Sequence, residues 1–406
     1  MTRLRADWVV PVDQPPIAGG WLDIADGRIV ALGGPDTAGP GAARDLGRVA
    51  LMPGLVNAHT HLELSWLRDR VPPANQFTSW IKQLFAARGT SVERPDDPRV
   101  IEAAREAVRE ARDCGTAAIG DISNSLASVD VLEASGLDGI VFHELLGFRE
   151  TADGPIAHTA GARQAAAARG GRVRVSMAPH APYSVSPELF RAIRAAVSAS
   201  DVPWTSIHVA ESPEEMELLA SGTGEWAKLL RWIGAWRDDW QVPGTGPVEY
   251  LDALGVLDQR TLVVHGVQLE DAALRVLRDR GCTLVTCPRS NQWVGVGVPP
   301  LARFYRSGVP VAIGTDSLAS VADLNLFAEL QAMHWMAPEI PPATLIESAT
   351  LTGARALGLD TDLGSLTPGK RAAVLAVALP DEATDVERFL VSGVSPKLMT
   401  WPSVTG

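Results

Sequence analysis

The sequence predicts an α/β fold, a (β/α)8 TIM barrel with a small β-sandwich domain formed from both termini. Three observations lead there. From about residue 100 a unit recurs, made of a helical charge-bearing stretch, a glycine, an apolar run and a polar tail. Eight such apolar runs can be counted, and the ionisable residues gather at their ends. A parallel strand covered on both faces reads as an unbroken apolar stretch, and barrel enzymes collect their chemistry at the C-terminal ends of the strands. A doubly wound open sheet would give the same runs; the recurrence of ionisable residues at several separate strand ends favours the barrel.

Residues 1–52 carry short alternating strands with turns such as Ala25-Asp26-Gly27-Arg28, and residues 361–406 contain the β-rich piece GSLTPGKRAAVLAVALP. Neither end is long enough to bury its own core comfortably. The two are expected to form one small domain, with the barrel, residues 53–360, inserted between them. Candidate barrel strands lie near 55–58, 116–121, 138–144, 172–179, 203–208, 261–265, 282–286 and 310–315. Gly115, Gly281 and Gly308 stand where a helix would end in a left-handed residue before the next strand. The stretch 209–260 separates the fifth and sixth strands and holds Trp226, Trp232, Trp236 and Trp240. The four-residue spacing of the last three predicts one helical face, either for packing or as a wall over the site.

Composition narrows the partners. Hydrophobic residues at 46% and charged residues at 21% of 406 describe an ordinary globular protein. No apolar run approaches the roughly 20 residues of a membrane span. With 36 basic against 48 acidic residues, the net charge of −12 lacks the basic footprint of a nucleic-acid binder. A small-molecule partner is therefore expected, with no nucleic acid and no membrane. Oligomeric state is left open, a homo-oligomer included. The N-terminus has no apolar signal region, so a cytoplasmic location is expected. Cys114, Cys282 and Cys287 lack a C-x-x-C spacing and are expected as buried thiols.

The chemistry begins at Asn57-Ala58-His59-Thr60-His61-Leu62-Glu63. On a strand, residues i and i+2 face the same way, so His59 and His61 would both turn into the barrel mouth. His208, His265 and Asp316 close three further apolar runs. Together His59, His61, His208 and Asp316 offer nitrogen and oxygen ligands suited to one divalent metal, Zn2+ or Fe2+, with a position left for water. The only lysines are Lys82, Lys228, Lys370 and Lys397, none at a barrel-strand end, so a lysine bridging two metals is not expected.

Glu211 follows His208 by three, and Ser212, Pro213 and Glu215 read as a capped helix start just after it. That leaves Glu211 in the loop at the strand end, placed for general acid/base work. His180, in a loop held by Pro179 and Pro182, is expected as a substrate contact. Asn291, with Arg289 and Ser290, lies on the same rim, to contact substrate or to shape the loop.

These segments resemble the amidohydrolase superfamily in its cytosine-deaminase-like and chlorohydrolase-like branch. PGLVNAHTH at 53–61, APHAPYSVS at 178–186, HVAE at 208–211, VVHG at 263–266, CPRSN at 287–291 and GTDS at 314–317 occur in that family's order. GSLTPGKRA at 364–372 resembles its returning β segment, with Ala373 where aspartate is expected. The resemblance implies a distorted barrel and one metal on His59, His61, His208 and Asp316. It also implies His265 beside the metal-bound water and Glu211 passing protons to the leaving group. HTHLELS at 59–65 and FHELLGF at 142–148 are similar to aminodeoxyfutalosine deaminases of menaquinone biosynthesis. The activity so implied is hydrolytic deamination of an aminated purine nucleoside; Glu63 two residues after the HxH pair, Glu144 and Arg149 after the third strand and His180 after the fourth are expected on the rim that reads such a substrate. Deamination of another amino-heterocycle, chloride or amide hydrolysis on the same fold, and an inactive binding barrel are the alternatives.

Overall fold

The computed structural model describes residues 1–37, 42–89, 96–150 and 154–403. The barrel strands are β1 Leu55–Thr60, β2 Thr116–Ser123, β3 Asp138–Leu145, β4 Val173–Pro179, β5 Thr205–Val209, β6 Thr261–His265, β7 Thr283–Thr286 and β8 Val311–Ile313. All but β4 are buried along their whole length, which is why they read as unbroken apolar runs. Among the helices around them are α1 Phe77–Arg88 and α2 Pro98–Asp113 after β1, α3 Ser128–Ser135 after β2, α4 Gly154–Ala167 after β3 and α5 Pro187–Ser198 after β4. α6 Pro213–Ser221, α7 Gly224–Trp232 and α8 Pro247–Ala253 follow β5, and α9 Asp271–Arg280 follows β6. α9 ends at Gly281, whose φ of 73° only glycine adopts cheaply, and the chain turns directly into β7.

The eight strands pair as two parallel four-stranded sheets, β1-β2-β3-β4 and β5-β6-β7-β8. Two seams join them. At one, the His208 N–H donates to the His180 carbonyl at 3.0 Å and Thr205 Oγ1 donates to the Met177 carbonyl at 2.9 Å. At the other, the N–H groups of Thr315 and Asp316 both donate to the His59 carbonyl at 3.1 Å. The β1–β2 register also shifts between Asn57 and Thr60. The barrel is thus distorted where regular pairing gives way, and His59, His180, His208 and Asp316 all lie at those places.

Strands from both chain ends share one sheet. Val374–Ala378 pairs antiparallel with Val49–Pro53 over five positions, and Met399–Thr400, Trp8–Val9 and Ile17–Ala18 complete it. A second sheet of Arg28–Gly33, Trp21–Ala25, Thr2–Arg5 and Arg44–Asp45 belongs to the same N-terminal region. Leu4, Val9, Leu22, Ile24, Leu51, Leu366 and Val374 form their common apolar core. All three cysteines are buried thiols. Among the described residues no helix is long and apolar enough to cross a membrane.

The tryptophan spacing does not become one helical face. α7 ends at Trp232 because Gly234 adopts a left-handed φ of 72°, with Gly234 N–H donating to Arg231 and Ala235 N–H to Leu230. These two bonds are the Schellman stop. Trp236 and Trp240 then fold against Phe148, Trp226 turns inward, and Trp232 stays exposed.

Candidate metal centre and active site

His59, at the end of β1, is fully buried, and neither ring nitrogen has a hydrogen-bond partner among the described residues. A buried polar nitrogen left alone costs about 1–3 kcal/mol. Around it stand the other ring nitrogens. His61 Nε2 lies 3.3 Å from His208 Nε2, and Asp316 Oδ1 lies 3.5 Å from His61 Nε2 and 3.8 Å from His59 Nε2. His208 Nδ1 is 2.9 Å from the His180 carbonyl, which can only accept, so Nδ1 carries the proton and Nε2 presents a lone pair to the cluster. The other Asp316 oxygen, Oδ2, accepts from Ser290 Oγ at 2.6 Å and Ser320 Oγ at 3.2 Å, which leaves Oδ1 to the histidines.

Burial drives these imidazoles toward the neutral form. His59 falls well below its ordinary pKa, His61 and His265 fall to about 3, His180 falls to about 4, and His208 falls too. Neutral imidazole is the form that ligates a metal. Burial alone would raise Asp316, but the neighbouring His61 and His265 and the Ser290 hydroxyl outweigh it and hold the carboxyl below its usual range. Three neutral nitrogens and one carboxylate oxygen, with an orphaned imidazole at the centre, fit a divalent cation.

The backbone is bent to build this centre. Ala210, His265 and Asp316 follow or end their strands with φ of 51°, 74° and 61°. Left-handed residues other than glycine cost about 1–3 kcal/mol each and persist where surrounding structure fixes them. Here the Gly266 N–H donates to Val209 and the Gln268 N–H to Ala210.

Glu211 is 4% exposed, with its Oε1 3.7 Å from His265 Nε2. Burial, then the charges of Asp316, Glu215 and Glu214, push its pKa well above the carboxylate range. Ser212 caps α6 as the sequence predicts, its Oγ accepting from the Glu215 N–H at 3.3 Å. The Glu215 carboxylate reaches further back than a capping box requires, to the N–H groups of Ala210 and Glu211 at 2.9 and 3.0 Å. It fixes the backbone that carries Glu211.

These groups open on a cavity of about 200 Å³. His61, His208, His265, Asp316, Glu211, His180 and Glu144 all line it. His180 Nδ1 is 2.6 Å from Ser184 Oγ. Glu144 accepts from Asn124 Nδ2 at 2.9 Å on one oxygen, while the other is buried without a hydrogen bond.

Three residues expected to contact substrate are not brought to this cavity. Glu63 has its carboxylate engaged by Ser123 Oγ, the Asn124 N–H, and the N–H and Oγ of Ser125. Arg149 is exposed and donates to the Gly234 carbonyl at 2.9 Å, tying the loop after β3 to the end of α7. Asn291 is fully buried with Nδ2 3.0 Å from His265 Nδ1, so it touches the ring behind its cavity-facing edge.

Sequence reasoning missed Asn124, Tyr183 and the part of the apolar wall that comes from α1; of the tryptophan-rich stretch offered as a wall over the site, Trp226 of α7 lines the cavity. Tyr183 carried a signal, since it directly follows Pro182 in the segment that holds His180. The α1 side carried none, because α1 and α7 are 136 residues apart, counted from Arg88 to Gly224.

Residues 50–399 match the family model described as the amidohydrolase family. The aminodeoxyfutalosine deaminase of Deinococcus radiodurans is 33% identical over 84% of this chain and 81% of its own. The 5-methylthioadenosine/S-adenosylhomocysteine deaminase of Moorella thermoacetica is 30% identical over 94% of this chain and 88% of its own. The solved structure of a zinc-bound adenosine deaminase from Xanthomonas campestris superposes with a TM-score of 0.83 at 26% identity, covering 98% of this chain and 90% of that one. This chain belongs to the amidohydrolase family. It is an enzyme, a hydrolase acting on carbon–nitrogen bonds.

Proposed function

We propose that this chain is a hydrolytic deaminase of an adenosine-like nucleoside, dependent on one divalent metal and releasing ammonia. Aminodeoxyfutalosine is the substrate we favour, which would place the enzyme in menaquinone biosynthesis. In this reading His59, His61, His208 and Asp316 hold the ion, Zn2+ in preference to Fe2+, which accepts the same donors. A divalent ion held there supplies Lewis acidity, so that hydroxide is available near neutral pH.

The observation that carries the reading is Glu211, a carboxyl pushed well above its ordinary range by burial, on the cavity wall beside His265. A protonated carboxyl can donate to a ring nitrogen, which a carboxylate cannot. Attack of water oxygen on the amine-bearing carbon forms the C–O bond while Glu211 protonates the adjacent ring nitrogen. Asp316 takes the proton that the water gives up, while His265, whose Nδ1 accepts from Asn291 Nδ2 and whose Nε2 therefore carries the proton, faces the water as a donor. In the collapse that proton goes to the amino group, the C–N bond breaks and ammonia leaves. Glu211 recovers its proton from the new hydroxyl as the carbonyl forms, and both proton carriers end as they began.

The other residues take supporting roles. Asn291 and Ser290 orient His265 and Asp316. His180 and Glu144 face the ribose or the base. Glu63 braces the 123–125 loop, and Arg149 braces the end of α7. Relatives named for deaminating adenosine-type nucleosides support this class of substrate. A steady-state comparison of adenine, adenosine, S-adenosylhomocysteine and aminodeoxyfutalosine tests it. The expected order places aminodeoxyfutalosine first in kcat/KM; free adenine in first place would mean that the cavity does not read a nucleoside.

A further inference from the structure

At the end of the barrel opposite the metal centre, the small β domain meets the strand starts around a second cavity, of about 260 Å³. Arg112 in the last turn of α2, Asp138 at the first position of β3 and Arg172 just before β4 line its barrel side, and Arg371 and Ala373 line the side of the small domain. Three guanidinium groups converge there. Arg371 Nη2 lies 2.8 Å and Arg172 Nη1 3.8 Å from the same oxygen, Asp138 Oδ2. Arg112 and Arg172 also donate, each through Nη1, to the consecutive carbonyls of Ser135 and Gly136, at 2.7 and 3.4 Å.

Asp138 is a buried charge that must be paired, and Arg371 pairs it. That ion pair accounts for one cation of the three. Among the described residues Arg112 has no carboxylate partner, Arg172 has only the one it shares, and no hydrogen bond uses the Nε or Nη2 of either. The Glu133 carboxylate lies outside the cavity lining and accepts from the backbone N–H groups of Arg172 and Val173. One wall position explains the imbalance. Ala373 stands where aspartate is expected, and it packs against the apolar cluster of Val56 and Ala118 near the strand starts, whereas Ala372 packs into the small domain's own core. A carboxylate at 373 would thus face the barrel side of the cavity; with alanine there, the lining holds three guanidinium groups against one carboxylate.

We propose that this cavity binds a small oxyanion of two negative charges, a phosphate group, held between Arg112 and Arg172 of the barrel and Arg371 of the small domain. Three guanidinium groups less Asp138 leave two positive charges for it, and the forked N–H groups of arginine match phosphate oxygens. The volume falls below the roughly 300–1,000 Å³ of sites that take drug-sized ligands, so the anion is inorganic phosphate or a compact phosphate monoester. Bound there, it ties the two domains together away from the reacting centre, whatever nucleoside the enzyme deaminates.

Thermal unfolding of the metal-loaded protein tests this, with about 10 mM inorganic phosphate or glycerol 3-phosphate replacing chloride at equal ionic strength. A ligand that binds only the folded state raises Tm, and wild type should gain about 2 °C or more from at least one of the two. Ala373→Asp, which supplies a carboxylate of the protein's own, should remove most of that gain. Arg172→Gln, at a side chain more than half exposed, should cut it at least by half. Neither substitution touches the metal ligands, so phosphate held at the metal centre would stabilise all three proteins alike. A larger gain from inorganic phosphate assigns the cavity to the free ion, and a larger gain from glycerol 3-phosphate assigns it to a monoester. No gain from either compound, or a gain undiminished in Ala373→Asp or in Arg172→Gln, overturns the site; should Ala373→Asp fail to fold, Arg172→Gln alone decides.

Discussion

The loops after β1 and after β5 each carry a buried glutamate close to a histidine of the cluster, and the two are built oppositely. Glu63, two residues past His61, is 2% exposed and accepts four hydrogen bonds from residues 123–125. Glu211, three residues past His208, is 4% exposed, and among the described residues no hydrogen bond reaches its carboxylate. In sequence the two look alike, an acid just beyond a strand-end histidine. Burial does not separate them either. Pairing does: donors around Glu63 engage its oxygens and make it a brace, whereas burial without donors raises the pKa of Glu211, as the proposed proton transfer requires.

Removing what both loops surround should have the largest effect. His61→Ala is expected to lose the metal and at least a thousandfold of activity, measured by elemental analysis and ammonia release, with wild type carrying one equivalent per chain. Two equivalents in wild type would contradict the mononuclear centre.

The next effect separates the loops by stability. Glu63→Ala strands several buried donors and should destabilise the fold by about 2–4 kcal/mol, since hydrogen bonds to a charged group are worth about 1.5–3 kcal/mol each and removal leaves their partners unpaired. Glu211→Gln should change stability by less than about 1 kcal/mol. Urea denaturation decides, and equal losses would erase the contrast between brace and acid.

A smaller effect concerns Glu215, which holds the Glu211 loop. Burial pushes its pKa up to about 7 from an ordinary 4.5. The folded state then binds this proton more tightly than the unfolded chain, so the stability it contributes is complete below pH 4.5 and is lost as pH rises through about 7. Compared with Glu215→Gln, wild type should lose on the order of 2–3 kcal/mol between about pH 5 and 8. A difference that stays flat with pH would mean that the carboxyl is already ionised against the Ala210 and Glu211 N–H groups.

The barrel was legible because strands buried on both faces leave unbroken apolar runs, and the closing residues His208, His265 and Asp316 stood out against them. The HxH pair was legible through strand alternation, although His61 lies one residue past the end of β1. What could not be read was direction. Whether Glu63 faces the cavity depends on serines sixty residues away, and the fate of Arg149 depends on a carbonyl at Gly234 across the barrel rim. Asn291 reaches His265 from behind through the turn after β7. The tryptophan spacing suggested a helical face, and one glycine inside it ended the helix.

In the proposed mechanism Glu211 carries the proton for deamination at a metal centre that forms without it. Glu211→Gln, purified with its metal content measured and assayed for ammonia release from aminodeoxyfutalosine, tests this most directly. One equivalent of metal with activity down by a hundredfold or more is the predicted result. A variant that keeps its metal and remains fully active would contradict the account.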